Sequence, residues 1–255
     1  MQKWIIIIVM LIFSALYAHS QGQSRFDSWE SILIAATNGD EEAAIMLVGF
    51  KNDIENGAEW TKESKDAYLN SVKGLIEYFS HNGWYMQEEQ LISEAIDLFR
   101  KKDGNTNTPY LRKLWLYRTR FLSDIKSHEA AIATGKQGLY MCGMVSDYGT
   151  DYITLCGNIA TSYFFLQDYL NAILYADEAL ALIEERNAKS QLEKDWDYYY
   201  IQNIRGLIFD ALARYDRAIE CFQEVVAGYK GSIYTPPYNM ALNNLAGTYA
   251  KSGKY

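Results

Sequence analysis

A recurring spacing of small and aromatic residues constrains the fold of this chain more than any other feature. In its clearest copy, Gly206 is followed nine residues later by Tyr215, and Ala218 and Phe222 come next at helical spacing. The stretch 160–180 repeats this pattern, and 246–255 begins it once more. A chain that repeats one short pattern in this way is expected to fold as a series of similar units.

The aromatic position of the pattern marks five units along the chain. These positions are 85, 128, 169, 215 and 255, with a histidine at 128, and they are spaced by 43, 41, 46 and 40 residues. A weaker sixth copy around residues 38–45 extends the series by 44 residues toward the N-terminus. Periods of this length are typical of stacked supersecondary units.

The apolar residues of each unit follow helical periodicity. Ile204, Leu207 and Ile208 belong to one stripe, and Ile219 and Phe222 belong to another, because residues three and four apart share a helix face. The chain has only three prolines, so long stretches lack the residue that interrupts helices. We therefore predict an all-α fold of antiparallel helix pairs, each of which buries its apolar stripe against its neighbours.

This pattern resembles the tetratricopeptide repeat. The family signature of small residue, Tyr, Gly, Tyr, Ala, Phe and Ala-Leu is carried by residues 206–226 and, with substitutions, by 160–180. The resemblance covers about residues 61–255 and implies a right-handed α-solenoid. Its period exceeds the 34 residues usual in the family, so extra residues are expected in 186–197 and 228–237, as lengthened helix ends or loops. Longer repeats of this kind resemble those of kinesin light chains and of bacterial proteins that join the repeats to a caspase-like CHAT domain.

Cap signals and composition suggest how the chain is organised. A hydroxyl residue precedes a proline at Thr108–Pro109 and at Thr235–Pro236, which predicts the start of a first helix at each place. We predict a signal peptide over 1–20, an N-terminal helical cap or degenerate repeat over 21–60, and a repeat solenoid over 61–255.

The last repeat of the predicted solenoid stops after its first helix. Terminal units of solenoids carry a polar outer face, whereas this helix is expected to leave four residues uncovered, namely Leu242, Leu245, Ala246 and Tyr249. This pattern predicts that the chain is an N-terminal fragment of a longer polypeptide.

The first twenty residues have the features of an export signal. Lys3 precedes an almost unbroken apolar run from Trp4 to Tyr17, and small residues near Ser20 suit a signal peptidase. The run is shorter than the ~20 residues of a membrane-spanning helix. We therefore predict cleavage after Ser20 in preference to a retained anchor, which makes the mature chain periplasmic or secreted with no membrane span.

Composition and motifs argue against several functions. The net charge of −8 and a pI near 5.0 disfavour nucleic acid, which needs a clustered basic face. Neither a phosphate-binding loop nor a nucleophile elbow occurs in the sequence. Adjacent carboxylates such as Glu184 and Glu185 point apart on a helix, which is typical of a solvated face. We predict no catalytic constellation, no metal site and no cofactor.

Cysteine and histidine are few and are expected to be structural. Cys142, Cys156 and Cys221 lie in apolar helical contexts, which favours buried thiols, with a Cys142–Cys156 disulfide as the alternative. His128 stands at the aromatic position of its unit, so we predict that it packs rather than takes part in catalysis.

The resemblance also implies a concave surface, lined by the first helix of each pair, that takes peptides or protein segments in the family. Its positions in this chain are Thr154, Gly157, Asn158, Thr161 and Phe164 in one unit, Tyr200, Asn203 and Leu207 in the next, and Asn243 and Asn244 in the last. Asparagine offers a donor and an acceptor to an extended peptide backbone, although these amides could instead bond neighbouring helices. Gly157 and Thr161 stand where carboxylate-clamping members of the family carry Lys and Asn, which disfavours a C-terminal carboxylate as the ligand.

Three functions follow as hypotheses. The first is an exported, non-catalytic scaffold that binds a peptide or protein segment in its groove. The second is the regulatory arm of a larger protein whose effector, a CHAT protease or a sensor kinase, follows Tyr255. The third is a carbohydrate-handling lipoprotein, which the lack of a cysteine near the cleavage point disfavours. The sequence predicts neither the ligand nor the oligomeric state.

Overall fold

In a computed structural model of the chain, the described residues are 28–57, 59–104, 106–190, 195–229 and 235–253, and they form helices and no strands. The eleven helices in these ranges are α1 (Trp29–Thr37), α2 (Glu41–Asn56), α3 (Lys62–His81), α4 (Tyr85–Asp103), α5 (Pro109–Asp124), α6 (His128–Gly143), α7 (Thr150–Phe165), α8 (Tyr169–Ser190), α9 (Trp196–Ala211), α10 (Tyr215–Tyr229) and α11 (Thr235–Ser252). Consecutive helices pack together from α1 to α4 and from α6 to α11. The predicted all-α fold of sequentially packed helices is confirmed.

The chain forms two compact units, Met1–Leu114 and Trp115–Tyr255, and their boundary falls within α5. The sequence predicted a different division, between a cap and a solenoid at residue 60, and that boundary stays a prediction. The predicted signal peptide and Tyr255 lie outside the described residues.

The second helix of each pair begins at the position that the repeat pattern predicted. α4, α6, α8 and α10 begin at Tyr85, His128, Tyr169 and Tyr215. α2 begins at Glu41, which lies in the weaker sixth copy. The repeat pattern therefore marks helix starts in both units.

The turn before each of these helices has one conformation in common. A residue with positive φ stands two positions before the helix start, at Gly39, Gly83, Lys126, Gln167 and Ala213, with φ between 56° and 85°. The next amide then bonds back to the first helix, as in Arg214 N–H to the Phe209 carbonyl at 2.8 Å. This is the left-handed helix ending in which the chain reverses within a few residues. Gly253, just after α11, has a φ of 67°.

Polar caps define the starts of several first helices. The hydroxyl of Thr108 accepts from the backbone of Leu111 at 3.3 Å, as the Thr-Pro signal predicted for α5. Asp195 caps α9 through the backbone of Tyr198 at 3.2 Å. α11 begins at Thr235, one residue earlier than predicted. α8 continues to Ser190, so part of the extra length of its repeat is a lengthened helix end.

An aromatic cluster forms the core of the N-terminal unit. The fully buried rings of Tyr68 and Phe99 lie 5.8 Å apart, and Trp60 packs against both of them. Tyr110 stacks on Phe99 at 5.2 Å. The indole N–H of Trp60 donates to Asp103 at 2.8 Å, so the segment before α3 is tied to the end of α4.

Small residues create the close contacts of the C-terminal unit. A Cβ added at Gly206 would meet the buried ring of Phe222 at 2.5 Å. The missing side chain therefore makes room for an aromatic ring of α10. Ala160 is fully buried in the neighbouring pair, whereas Ala246, at the same repeat position, is exposed.

The last described helix is better covered than the sequence predicted. Leu242 and Ala246 are exposed as expected, but Leu245 is buried against a cluster that includes Phe222. Tyr249 packs on the same cluster, and its hydroxyl accepts from the amide of Gln223 at 2.7 Å. The expectation of an uncovered helix was wrong for Leu245 and Tyr249, because α10 provides the apolar surface that covers them.

A tyrosine–glutamate pair recurs in the C-terminal unit. The hydroxyl of Tyr152 on α7 donates to Glu178 on α8 at 2.5 Å, and that of Tyr198 on α9 donates to Glu224 on α10 at 2.9 Å. Partners are 26 residues apart in both pairs. The same polar contact therefore joins the two helices of successive pairs.

The cysteines and His128 have the structural roles predicted for them. All three cysteines are buried thiols outside any disulfide, so the alternative Cys142–Cys156 disulfide is absent. Burial raises the pKa of Cys221 to about 11, which keeps the thiol protonated. His128 stacks on Phe165 at 4.9 Å, as expected for a packing residue.

Candidate functional site

The predicted groove residues lie on three helices of the C-terminal unit. α7, α9 and α11 are the first helices of successive pairs, and α9 contacts both α7 and α11. The first helices of successive pairs are therefore neighbours, as expected from the repeat.

Tyr200 brings three predicted residues of α7 and α9 together. Its hydroxyl lies 3.5 Å from Asn158 Oδ1, to which it donates, and 3.5 Å from the hydroxyl of Thr161. The ring passes over Gly157, where a Cβ would meet Tyr200 Cε1 at 2.9 Å. Because Gly157 has no side chain, the tyrosine ring can pack between the two helices.

An aromatic stack adjoins these contacts of Tyr200. Trp196, one turn earlier on α9, stacks on the Tyr200 ring at 5.0 Å with the planes only 8° apart. Burial raises the pKa of the Tyr200 hydroxyl, so the group is neutral and remains a hydrogen-bond donor. Trp196 is 55% exposed, which leaves an aromatic surface open to solvent at this end of α9.

Asn158 retains an unused donor beneath Tyr200. The residue is buried, its Oδ1 is the acceptor for Tyr200, and its Nδ2 has no hydrogen-bond partner. A buried amide donor left unpaired is costly. Asn158 is therefore the predicted groove residue with the clearest capacity for an added acceptor.

A second polar contact of the surface connects α9 to α11. Asn244 Nδ2 donates to Asn203 Oδ1 at 3.1 Å, so these two amides bond to each other, as the alternative interpretation of the sequence allowed. Asn203 is buried, whereas Asn243 beside Asn244 is exposed. Of these three amides, Asn243 is the most accessible to a ligand.

The remaining predicted residues contribute apolar contacts. Leu207 is half-buried against the cluster around Phe222, and Phe164 is half-buried with its ring 6.0 Å from that of Tyr169. Thr154 donates to the Thr150 carbonyl within its own helix at 2.8 Å. These side chains have mainly local packing partners.

Sequence reasoning missed four residues of this region. Trp196 was not predicted, although it precedes Tyr200 by one helical turn. Asp210 on α9 accepts from Thr248 at 2.9 Å and forms an ion pair with Lys251, and both partners lie on α11. Asp210 comes one turn after Leu207 on the same helix, so continuing the groove positions along α9 would have included it.

Among the described residues there is neither a candidate membrane-spanning helix nor a candidate metal site. None of the described helices is both long enough and apolar enough to span a membrane. Within the same residues, no group of three or more His, Cys, Asp or Glu side chains could hold a metal ion.

Comparison with solved structures places this architecture among known folds. BtubC (BKLC) from P. vanneervenii superposes with a TM-score of 0.68 over 89% of this chain and 86% of that protein, at 14% identity. A Podosopora anserina protein described as a kinesin light chain with nearly identical TPR-like repeats matches with a TM-score of 0.58 over 73% of this chain and 87% of its own, at 15% identity. The chain has a tetratricopeptide-repeat-like fold. No family model and no curated protein matches the sequence.

This fold is one of packed helix pairs, which agrees with the resemblance found in the sequence.

Proposed function

We propose that the chain is an exported scaffold that binds an extended peptide or protein segment along α7, α9 and α11. The observation that carries the proposal is the series of amide and aromatic groups on these three helices, from Trp196 and Tyr200 through Asn158 to Asn243. Amides can donate to and accept from a peptide backbone. An exposed aromatic surface supplies apolar area beside them.

The polar contacts at Tyr200 support a surface that can exchange partners. Both of its hydroxyl contacts are 3.5 Å long, at the outer limit for a hydrogen bond. Asn158 Nδ2 is buried and has no partner of its own, so binding at this nitrogen requires a movement that opens the surface around it. A backbone carbonyl of the bound segment is the acceptor we assign to this donor.

Binding is tested with an array of immobilised synthetic peptides, probed with the purified chain. The peptide that binds most tightly is then titrated against Asn243→Ala, Asn203→Ala and Asn244→Ala. We expect each change to weaken binding by about tenfold, the equivalent of about 1.4 kcal/mol. Gln137→Ala, an exposed amide on the second helix α6, is the matched control and should bind like the original chain.

Asn243→Ala is the decisive variant, because its exposed side chain can be removed without loss of the Asn203–Asn244 bond. Thermal unfolding of each variant shows whether a loss of binding comes from a loss of folding. Unchanged affinity in all three asparagine variants would rule out the proposed surface.

Export is a separate part of the proposal, and it is supported by the composition of residues 1–20. Expression of the whole chain in a bacterium, followed by mass spectrometry of the periplasmic fraction, should give a mature protein that begins at Gln21. A full-length protein that stays in the cytoplasm or the membrane would contradict export and cleavage. The alternative role as a regulatory arm is tested by the reading frame of the gene after Tyr255.

A further inference from the structure

Two leucines of α8 form an exposed apolar pair on a second helix, apart from the proposed binding residues of α7, α9 and α11. Leu170 is 81% exposed and Leu174 is 61% exposed. They lie one turn apart, so they share one side of the helix. We call them the α8 leucine pair. Phe165 and Leu166, just before α8, are exposed as well.

The other helix pairs show that packing does not require apolar residues at these two positions. The equivalent residues are Met86 and Gln90 in α4, Glu129 and Ala133 in α6, and Asp216 and Glu220 in α10. All six are exposed. Among these four second helices, α8 is the one with a large apolar residue at both positions. Charged residues at the same positions of α10 are compatible with the fold. Packing within the chain therefore does not explain the two leucines.

The size of the apolar surface fits a short segment better than a second copy of the chain. The four exposed side chains provide a few hundred Å², whereas a standard protein interface buries about 800 Å² on each partner. The chain carries a net charge of −8, so two copies repel each other. A single amphipathic helix needs only a few apolar anchors at helical spacing to bind such a surface.

The charge beside the leucines indicates the chemistry of the partner. The exposed side of α8 continues after Leu174 with Asp177, Glu178 and Glu184. Arg205 pairs with Asp177 at 2.8 Å and offsets its charge, whereas Tyr152, which donates to Glu178, is neutral and leaves the charge of that carboxylate in place. A helix with apolar anchors followed by Lys or Arg would meet first the leucines and then the acidic side chains.

We propose that the α8 leucine pair docks a basic amphipathic helix of another protein. The apolar anchors of that helix cover Leu170 and Leu174, and its cationic residues lie along the acidic part of α8. This docking surface uses the second helix of a pair, so it is independent of peptide binding along the first helices.

The probe for this proposal is a fluorescein-labelled synthetic helical peptide of leucine and lysine, titrated against the full chain by fluorescence anisotropy. The double variant Leu170→Ala/Leu174→Ala should bind it at least about tenfold more weakly, because the apolar contact is lost while the charge of the surface is unchanged. Met86→Ala is the matched control, since it removes a large apolar side chain at the equivalent, similarly exposed position of α4. It should leave the affinity unchanged.

Further measurements distinguish a basic helix from an acidic helix and from a second copy of the chain. A peptide of leucine and glutamate with the same spacing should bind much more weakly than the lysine peptide, and circular dichroism should show that each variant remains folded. If the double variant unfolds, Leu170→Gln/Leu174→Gln replaces it. The proposal is overturned by equal binding of the lysine peptide to the original and double-variant chains, or by equal binding of both peptides to the original chain. Sedimentation that shows a dimer broken by the double variant would also overturn it, in favour of a second copy.

Discussion

The two units of this protein share their turns but pair an equivalent tyrosine in different ways. In the C-terminal unit, Tyr152 and Tyr198 each donate forward to a glutamate on the second helix of their own pair. Tyr68 has the same place relative to the start of α4, but it donates backward to Glu55 on α2 at 2.8 Å. Glu94, which stands 26 residues after Tyr68 as in the other pairs, only contributes to the raised pKa of Tyr68.

This difference shows which contacts the repeat register controls. The backbone turns recur in both units because they depend on a few consecutive residues. The partner of a buried hydroxyl also depends on what packs beside the ring. In the N-terminal unit, Trp60 and Phe99 pack against Tyr68. The position of Trp60 is occupied by Met144 and Ser190 in the later pairs, so this indole is not repeated.

The largest effect is expected from breaking the aromatic cluster that distinguishes the N-terminal unit. Phe99→Ala removes a fully buried ring that contacts Trp60, Tyr68 and Tyr110. The free energy of unfolding should fall by about 3–5 kcal/mol, measured by urea denaturation followed by circular dichroism. Phe165→Ala, which removes a largely exposed ring, should change it by less than about 1 kcal/mol. Similar losses in the two variants would contradict the assigned core.

A smaller loss is expected from filling the close contact of the C-terminal unit. Gly206→Ala places a Cβ against the ring of Phe222, and the overpacking should cost about 1–3 kcal/mol of stability. Gly247→Ala is the matched helical control, because a Cβ there meets no atom within 4 Å. It should stabilise the chain by about 0.5–1 kcal/mol, since alanine is the better helix former. Thermal or urea unfolding that gives both changes the same sign would argue against the ring contact.

The shared turn conformation can be tested with two substitutions, one in each unit, that should change the free energy of unfolding in opposite directions. Ala213 has a φ of 56°, which is unfavourable for a residue with a Cβ, whereas Gly83 has a φ of 69° without that cost. Ala213→Gly should raise the free energy of unfolding by up to about 1 kcal/mol, and Gly83→Ala should lower it by about 1 kcal/mol. No atom lies within 4 Å of a Cβ at Gly83, so the second effect reports the backbone alone. Two changes in the same direction would show that the turns are not equivalent.

A further prediction concerns the pH dependence of stability that Tyr110 contributes in the N-terminal unit. Burial and the bond to Asp66 raise the pKa of Tyr110 to about 12. The unfolded chain releases this proton near its ordinary pKa of about 10, whereas the folded chain keeps it until about pH 12. This contribution to stability is therefore present below about pH 10 and is lost as the pH rises to about 12. Urea unfolding of Tyr110→Phe should show a shallower decline over this range, and an identical decline would contradict the shift.

Much of the fold could be predicted from the sequence because its signals are local. The aromatic position fixed the starts of α4, α6, α8 and α10, since a turn and the first helical turn after it involve adjacent residues. The cluster around Trp60 could not be predicted in this way. Its polar contact with Asp103 joins residues 43 positions apart, which equals the spacing between the markers at 85 and 128, but the register does not predict that an indole meets a carboxylate there.

The candidate site shows the same limit. Repeat register brought Asn158, Tyr200, Asn203 and Asn244 to neighbouring first helices, as predicted. Bonds between these amides and a neighbouring helix were an open alternative, but the register did not identify Asn203 and Asn244 as the pair, and it did not predict that Trp196 extends the aromatic surface. Those contacts depend on side-chain rotamers and on the lengths of the segments between repeats, which vary along this chain.

Double-mutant cycles on the tyrosine–glutamate pairs test the central claim that successive helix pairs of the C-terminal unit repeat one set of contacts. The substitutions are Tyr→Phe and Glu→Gln, and the readout is the coupling in the free energy of unfolding. The pairs to compare are Tyr152–Glu178, Tyr198–Glu224, Tyr68–Glu55 and Tyr68–Glu94. We predict couplings of about 1 kcal/mol for the first three and a value near zero for the last. Strong coupling between Tyr68 and Glu94, or none in the first two pairs, would contradict the account.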